Sequence, residues 1–190
     1  MFQTEVEAAT ASDAKTGFFL CDQAEELANP TPATTPFILA RYARINDGDM
    51  LEAQFNTAGS IWYVITGSGE TTFGDQSISW EAGDLFALPG CAEAKIKASG
   101  AESVIWVVTN EPQMAFENTR PADMEDTTID VVHYRADEIE RQIDLLYEVG
   151  QGADTAGIAL VFSSKKQQER RNITPTMTLA MNTLPPHDSQ

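Results

Sequence analysis

Short apolar stretches alternate with polar and turn-forming residues between positions 37 and 110. The stretches are rich in β-branched and aromatic residues, and Gly, Asp or Asn interrupts them, without any helical period of apolar positions. This pattern predicts eight short strands: PFILARYARI, DMLEAQF, SIWYVITG, ETTF, QSISW, DLFALP, AEAKIKA and ESVIWVV. Gly74 and Asp75 predict a tight turn between the fourth and fifth strands. Such a succession favours a closed barrel or a sandwich, because closure removes exposed strand edges.

The residues before this barrel segment carry weaker patterns. Residues 1–16 are polar, rich in Ala and Thr and without a period, so we expect a loosely held arm. Residues 17–22 predict a short strand. The following EELANPTPATTP segment predicts a connecting loop, because its three prolines each remove a backbone donor and fix φ. Residues 1–36 are therefore expected to form an arm, a strand and a loop ahead of a barrel at 37–110.

Residues 111–135 are acidic and polar and predict a linker. The final region, 136–190, is predicted to begin with one amphipathic helix that has Asp137 as its N-cap. The apolar positions Ile139, Ile143 and Leu146 recur at helical spacing, and Gly150 follows as a stop. The apolar stripe of this helix needs a surface to cover, either the barrel or a partner subunit.

Two more strands are predicted near the end of the sequence, at 157–162 and 176–184. The segment between them holds four of the twelve cations of the chain, namely Lys165, Lys166, Arg170 and Arg171. We interpret this basic loop as a solvated surface that offsets the acidic character of the chain, with contact to an anion or an acidic partner as the alternative.

The charge balance limits the classes of partner. The 190 residues include 12 Lys and Arg against 29 Asp and Glu, a formal charge of −17. A phosphate backbone would repel such a chain, so we expect no nucleic-acid partner. No apolar stretch approaches the roughly 20 residues of a membrane span, and the acidic start does not resemble an export signal. We therefore predict a cytoplasmic protein without a membrane partner, with Cys21 and Cys91 as free thiols.

The two histidines do not form a recognisable motif. His133 lies near the start of the predicted helix, where capping or packing is the expected role, and His187 is expected to be exposed to solvent. Neither has another His, Cys or acidic residue at the spacing of a metal site. The sequence also contains no glycine-rich phosphate loop and no hydrolase or metalloprotease motif.

The barrel segment nevertheless resembles the cupin superfamily. Residues 48–67 are similar to the first cupin motif, and residues 83–90 are similar to the start of the second. The framework positions Gly48, Gly67, Gly83 and Pro89 match in register. The resemblance covers about residues 37–110 and implies an all-β fold, the double-stranded β-helix of cupins, with the predicted helix and C-terminal strand appended.

The positions that hold a metal in cupins differ in this sequence. The resemblance places those four ligands at Gln54, Asn56, Ser60 and Ala94, none of which is His or Glu. Amides and a hydroxyl are weak ligands for transition metals, so we expect no metal and no cofactor. Gln54, Asn56 and Ser60 are predicted to face the barrel mouth from neighbouring strands and to bind a small polar molecule. The alternative is a degenerate barrel with a polar, water-filled remnant.

The tail, TPTMTLAMNTLPPHDSQ, resembles the strand that leads into the second barrel of gentisate dioxygenase-like bicupins. In that family a histidine pair follows such a segment, and here it would lie beyond Gln190. Three hypotheses stay open: a metal-free, non-catalytic module for assembly or ligand binding; part of an iron-dependent ring-cleaving dioxygenase whose catalytic barrel is elsewhere; or an oligomerisation unit. We expect a homo-oligomer that forms through a barrel edge or the C-terminal strand.

Overall fold

The structure is a computed structural model that describes residues 2–149 and 158–183. It begins with helix α1 (Phe2–Thr10), whereas a loosely held arm was predicted for residues 1–16. A nine-residue helix is marginal by itself, and packing stabilises this one. Val6 and the fully buried Ala9 contact the barrel sheet, and the Arg44 guanidinium donates a hydrogen bond of 3.0 Å to the Ala9 carbonyl. Two apolar residues three positions apart gave too weak a periodic signal.

All eight predicted barrel strands are confirmed, as is the short strand before them. The segment predicted as a proline-rich loop contains one helical turn, α2 (Ala24–Leu27). The strands up to residue 109 are β1 (Gly17–Leu20), β2 (Leu39–Ile45), β3 (Met50–Ala53), β4 (Gly59–Thr66), β5 (Ser68–Phe73), β6 (Gln76–Glu81), β7 (Leu85–Pro89), β8 (Ala94–Ala98) and β9 (Ser103–Thr109).

The strands form two antiparallel sheets that pack face to face, as in a jelly roll. The larger sheet has β1, β2, β9, β4 and β7 in that order, and the smaller has β3, β8, β5 and β6. The main apolar core lies between the two sheets. Along β4, Trp62 and Val64 point into this core, whereas Ile61 and Tyr63 point to the outer face of the larger sheet. The expected alternation of a two-layer β fold is thus present.

Glycines of the cupin-like motifs sit where the backbone requires them. Gly67 and Gly83 adopt φ angles of 87° and 91°, which other residues rarely adopt. A Cβ atom at Gly67 would also collide with Ser103. The predicted turn is confirmed too, because Gly74 and Asp75 connect β5 to β6 with Phe73 opposite Gln76.

The segment predicted as a linker has more structure than expected. It contains helix α3 (Glu111–Phe116) and strand β10 (Val132–Tyr134). Strand β10 pairs with β7 and becomes the sixth strand of the larger sheet. His133 therefore lies on a strand, opposite Phe86, and not at the start of a helix. A three-residue strand has no pattern of its own, so only its pairing with β7 defines it.

The predicted amphipathic helix is confirmed as α4 (Ala136–Val149). The helix begins at Ala136, so Asp137 lies within it and is not its N-cap. The Ala136 amide donates a hydrogen bond of 2.8 Å to the Asp84 carboxylate. The proposed stop at Gly150 lies outside the described residues. Of the predicted helix stripe, Ile139 is buried, whereas Leu146 is 37% exposed.

The last two strands are β11 (Ile158–Phe162) and β12 (Leu179–Thr183), and they pair with each other. The predicted role of the tail strand in oligomerisation assumed that this strand had no partner within the chain. In the structure, β12 pairs with β11. The basic segment between them forms a 3-10 helix (Lys165–Arg170) and not a plain loop. Gly157, Leu184 and His187, included in the predictions, lie outside the described residues.

Helix α4 and the β11–β12 hairpin cover part of the outer face of the larger sheet. Phe162, Ile173 and Met177 are buried there against Ile61 and Leu85. The barrel thus has an outer apolar layer besides its internal core. None of the described helices combines the length and the apolar character that crossing a membrane would require.

Candidate functional site

The interior of the barrel is filled by a column of aromatic rings. Phe18 contacts Phe55 at 5.4 Å between ring centroids, Phe55 stacks near Trp62 at 6.2 Å, and Trp62 stacks on Phe86 at 5.6 Å. Trp62 and Phe86 are fully buried. The void left beside this column measures about 10 Å³, which is near the smallest volume that holds one water molecule. The interior therefore has no room for an organic ligand.

A buried arginine lies against this column of rings. The Arg41 guanidinium lies 4.2 Å from the centre of the Phe55 ring and forms an ion pair with Glu111 at the start of α3. It also donates a hydrogen bond of 3.0 Å to the Thr109 hydroxyl. Burial lowers the pKa of the Arg41 guanidinium, and the nearby Glu111 carboxylate opposes that change. Arg41 is only 4% exposed, so its charge depends on this one carboxylate.

The structure does not bring the three predicted ligand-binding residues together. Ser60 is buried inside the barrel, and its hydroxyl accepts a hydrogen bond of 2.7 Å from the Trp62 indole. Gln54 and Asn56 lie on the connection between β3 and β4 and are exposed. The prediction that all three face one polar mouth is therefore wrong. Phe55, between the two amides, points into the core and leaves them on the outside.

Gln54 and Asn56 instead line a hollow on the barrel surface, which we call the rim hollow. Its volume is about 400 Å³, and its lining combines amide, thiol, guanidinium and carboxylate groups: Gln54, Phe55, Asn56, Gly90, Cys91, Arg120, Pro121, Ala122 and Asp123. Phe55 also borders the internal void, so its ring separates the two spaces. The rim hollow is a polar surface that could hydrogen-bond a small molecule.

The electrostatics of the rim hollow come from two side chains of opposite charge. Arg120 and Asp123 both lie on the exposed segment after α3, and no ion pair of Arg120 occurs within the part of the chain that the structure describes. Burial raises the pKa of the Cys91 thiol, and the nearby Asp123 carboxylate raises it further. Cys91 is therefore a poor nucleophile at neutral pH. Both cysteines are free thiols, as predicted.

The four cupin ligand positions do not fit a transition-metal ion. Ser60 and Ala94 face the small internal void, whereas Gln54 and Asn56 are exposed beyond Phe55. Ala94 offers no donor atom, and the other three offer weak neutral ones. Across residues 2–149 and 158–183, no group of three or more His, Cys, Asp or Glu side chains is placed to hold a metal.

Asp84 is a buried polar residue that the sequence analysis missed. Its side chain is 2% exposed and lies 2.7 Å from the His133 imidazole. It also accepts hydrogen bonds from the backbone amides of Ala136 at 2.8 Å and Glu81 at 3.2 Å. Asp84 thus joins the barrel to β10 and α4. Residues 83–84 were recognised as the start of the second cupin-like motif, but nothing in the sequence indicated which distant groups Asp84 binds.

A second and larger hollow lies on the opposite side of β4, outside the barrel. This outer hollow has a volume of about 510 Å³ between the larger sheet and residues 176–181. Its floor is formed by the outward side chains of β4, β7 and β9, among them Ile61, Tyr63 and Trp106. An apolar space in reach of solvent therefore lies outside the barrel, at a place for which the sequence pattern gave no signal.

Comparison with known proteins supports the fold and no more. The sequence matches no protein-family model, and no curated protein matches it. Among solved structures, salicylate 1,2-dioxygenase from Pseudoaminobacter salicylatoxidans, as an adduct with gentisate, is similar with a TM-score of 0.72 and 13% identity. That similarity covers 96% of this chain and 62% of the dioxygenase chain.

Another structure of salicylate 1,2-dioxygenase from the same organism gives a TM-score of 0.64 at 13% identity, over 82% of this chain and 54% of that chain. A cupin superfamily protein from Desulfitobacterium hafniense is similar over 54% of this chain and 85% of its own, at 15% identity and a TM-score of 0.41. This chain thus spans between 54% and 62% of the length of the two dioxygenase chains. It has a cupin fold, and its architecture resembles that of these dioxygenases.

Proposed function

We propose that this chain is a metal-free, non-catalytic cupin module that acts in assembly. The observation that carries the proposal is the filled barrel, in which Phe55, Trp62 and Phe86 leave a void of about 10 Å³. A cupin enzyme needs an open, ligand-lined space in which substrate meets metal, and these aromatic residues stabilise the fold without providing one.

Exposed apolar side chains on the outer layer support the role in assembly. Leu145 and Leu146 on α4 are 41% and 37% exposed, and Val149 at the end of that helix is 87% exposed. Val161 on β11, the strand that α4 contacts, is 48% exposed. Apolar side chains grouped on neighbouring elements are typical of an interaction surface. We propose a second copy of this chain as the partner.

Light scattering across a range of protein concentrations tests the assembly. We expect a concentration-dependent increase above the 20.7 kDa of the single chain, and its loss in the variant L145K/L146K. Ile65→Lys is the matched control, since Ile65 is also 37% exposed but belongs to β4 and not to α4. A strictly monomeric wild-type protein would contradict the role in self-assembly.

Metal analysis tests the other half of the proposal. After incubation with Fe(II) and removal of excess ion, we expect far less than one iron per chain. Gln54→Ala and Asn56→Ala are expected to leave that content unchanged. Stoichiometric iron in the wild type, lost in either variant, would instead support the alternative of a dioxygenase-like enzyme.

The rim hollow favours a second candidate function, the binding of a small polar molecule. Gln54 and Asn56 offer amide groups there, and Arg120 offers a cation. Gentisate, the compound named with the similar dioxygenase, is a suitable probe because its carboxylate needs a cationic partner. We expect any gentisate binding measured by calorimetry to be lost in Arg120→Gln and kept in Lys97→Gln, a variant on the exposed face of β8. Binding that survives Arg120→Gln would exclude the rim hollow.

A further inference from the structure

The outer hollow exists because two covering elements leave a strip of the larger sheet between them. Helix α1 covers the side of β1 and β2, and α4 with the β11–β12 hairpin covers the side of β7 and β10. The strip between them follows β9, where Trp106 and Val108 face outward and are half-buried. Phe2 of α1 borders the strip, with its ring centre 5.7 Å from that of Trp106.

The chemistry of this hollow is unusual for a chain of its charge. The formal charge is −17 and 22% of all residues are charged, yet among the described residues that line the hollow none is charged. A charged ligand would lose its hydration there without gaining a partner, which opposes its entry. The lining therefore selects an uncharged occupant.

The volume and the polar groups of the outer hollow restrict further which kind of ligand fits it. About 510 Å³ lies within the usual range for pockets that bind small organic molecules. Tyr63 and Trp106 line the hollow, and neither the Tyr63 hydroxyl nor the Trp106 indole N–H makes a hydrogen bond within residues 2–149 and 158–183. Each can donate one hydrogen bond to an acceptor that enters.

We infer that the outer hollow binds a small, uncharged and mainly apolar molecule that carries one or two hydrogen-bond acceptors. This site is distinct from the cupin ligand positions, because the Tyr63 and Ser60 side chains lie on opposite faces of β4. The inference does not depend on the proposed role in assembly, since Leu145, Leu146 and Val161 do not line this hollow.

Prodan, an uncharged naphthyl ketone whose carbonyl oxygen accepts hydrogen bonds and whose fluorescence changes in apolar surroundings, is the probe for this site. We expect saturable binding of about one molecule per chain. Met181→Glu introduces a charge into the wall of the hollow, and we expect it to weaken binding at least tenfold. Val161→Glu is the matched control, because Val161 lies on the exposed face of the same hairpin, and it should leave the affinity unchanged.

A second variant, which makes the hollow smaller, is needed in case Met181→Glu does not fold. Thr178 is exposed at the edge of the hollow, so Thr178→Trp is expected to reduce binding by partly filling the space while the thermal unfolding temperature stays within a few degrees of the wild type.

Three results would overturn the inference. The first is no saturable binding, and the second is equal loss of affinity in Met181→Glu and Val161→Glu. The third is competition from a second copy, seen as a rise in mass with protein concentration together with displacement of the probe. Because L145K/L146K should abolish assembly without affecting the probe, failure of the assembly proposal and failure of this inference can be distinguished.

Discussion

The two faces of strand β4 lead to opposite kinds of space. On the inner face, Trp62 and Val64 are fully buried, and the void beside them is about 10 Å³. On the outer face, Ile61 and Tyr63 border a hollow of about 510 Å³. In this cupin barrel the interior has therefore become ordinary protein core, and the open apolar space lies outside it. A function carried over from the fold alone would be sought inside the barrel, on the face of β4 that has no such space.

The largest effect that separates the two faces is expected from Trp62→Ala. Trp62 is fully buried and stacks on Phe86, so its removal leaves a large cavity that the barrel cannot refill. We expect a loss of about 3 to 5 kcal/mol in the free energy of unfolding. Urea denaturation measures it. A loss below about 1 kcal/mol would indicate that the interior is adaptable enough to open for a ligand.

Much of the fold could be predicted from the sequence because barrel strands carry their own pattern. Alternating apolar residues, the Gly74-Asp75 turn and the framework glycines all depend on local geometry, which a sequence displays directly. Helix α1 and strand β10 were missed because each is held in place by contacts with distant residues. Their local sequence is too short and too polar to indicate a regular element.

The candidate site was less predictable than the fold. Counting from the cupin motif assigned Gln54, Asn56 and Ser60 to one space, but a single ring, Phe55, separates the two amides from the hydroxyl. Side-chain direction on an irregular connection between strands does not follow from spacing. Arg41 left one usable signal, since it occupies an inward position in β2 among Leu39, Ala43 and Ile45. The outer hollow depends on how separate elements cover the sheet, so no local pattern encodes it.

The second largest effect is expected at the buried ion pair of Arg41 and Glu111, from Glu111→Ala. This change removes the carboxylate partner of Arg41, whose guanidinium is almost completely buried. We expect the free energy of unfolding to fall by about 3 kcal/mol, because an uncompensated buried charge is costly. The double variant R41M/E111A should recover most of that loss. If Glu111→Ala is as stable as the wild type, the surroundings of the Arg41 guanidinium are more hydrated than the structure indicates.

A smaller effect is expected where the barrel joins the outer layer, from Asp84→Asn. The amide keeps one acceptor oxygen but loses the negative charge that binds His133 and the Ala136 amide. We expect a loss of about 2 kcal/mol, together with faster proteolysis of α4. Asp75→Asn, at the exposed β5–β6 turn, is the control and should change stability by less than about 0.5 kcal/mol. Equal effects of the two variants would show that Asp84 does not hold the outer layer.

The smallest effect is expected from Tyr63→Phe. It tests the contrast between the two faces of β4 most directly, because Tyr63 is the neighbour of Trp62 on that strand. Tyr63 lines the outer hollow, and Tyr63→Phe removes a hydroxyl that makes no hydrogen bond within the described residues. We expect a change below about 0.5 kcal/mol in the free energy of unfolding, because the ring and its packing remain. A loss of about 1 kcal/mol or more would mean that this hydroxyl has a structural partner, and the outer hollow would then be less open than β4 indicates. In that case Trp62 and Tyr63 would both be part of the packed core, and the two faces of β4 would not differ as described.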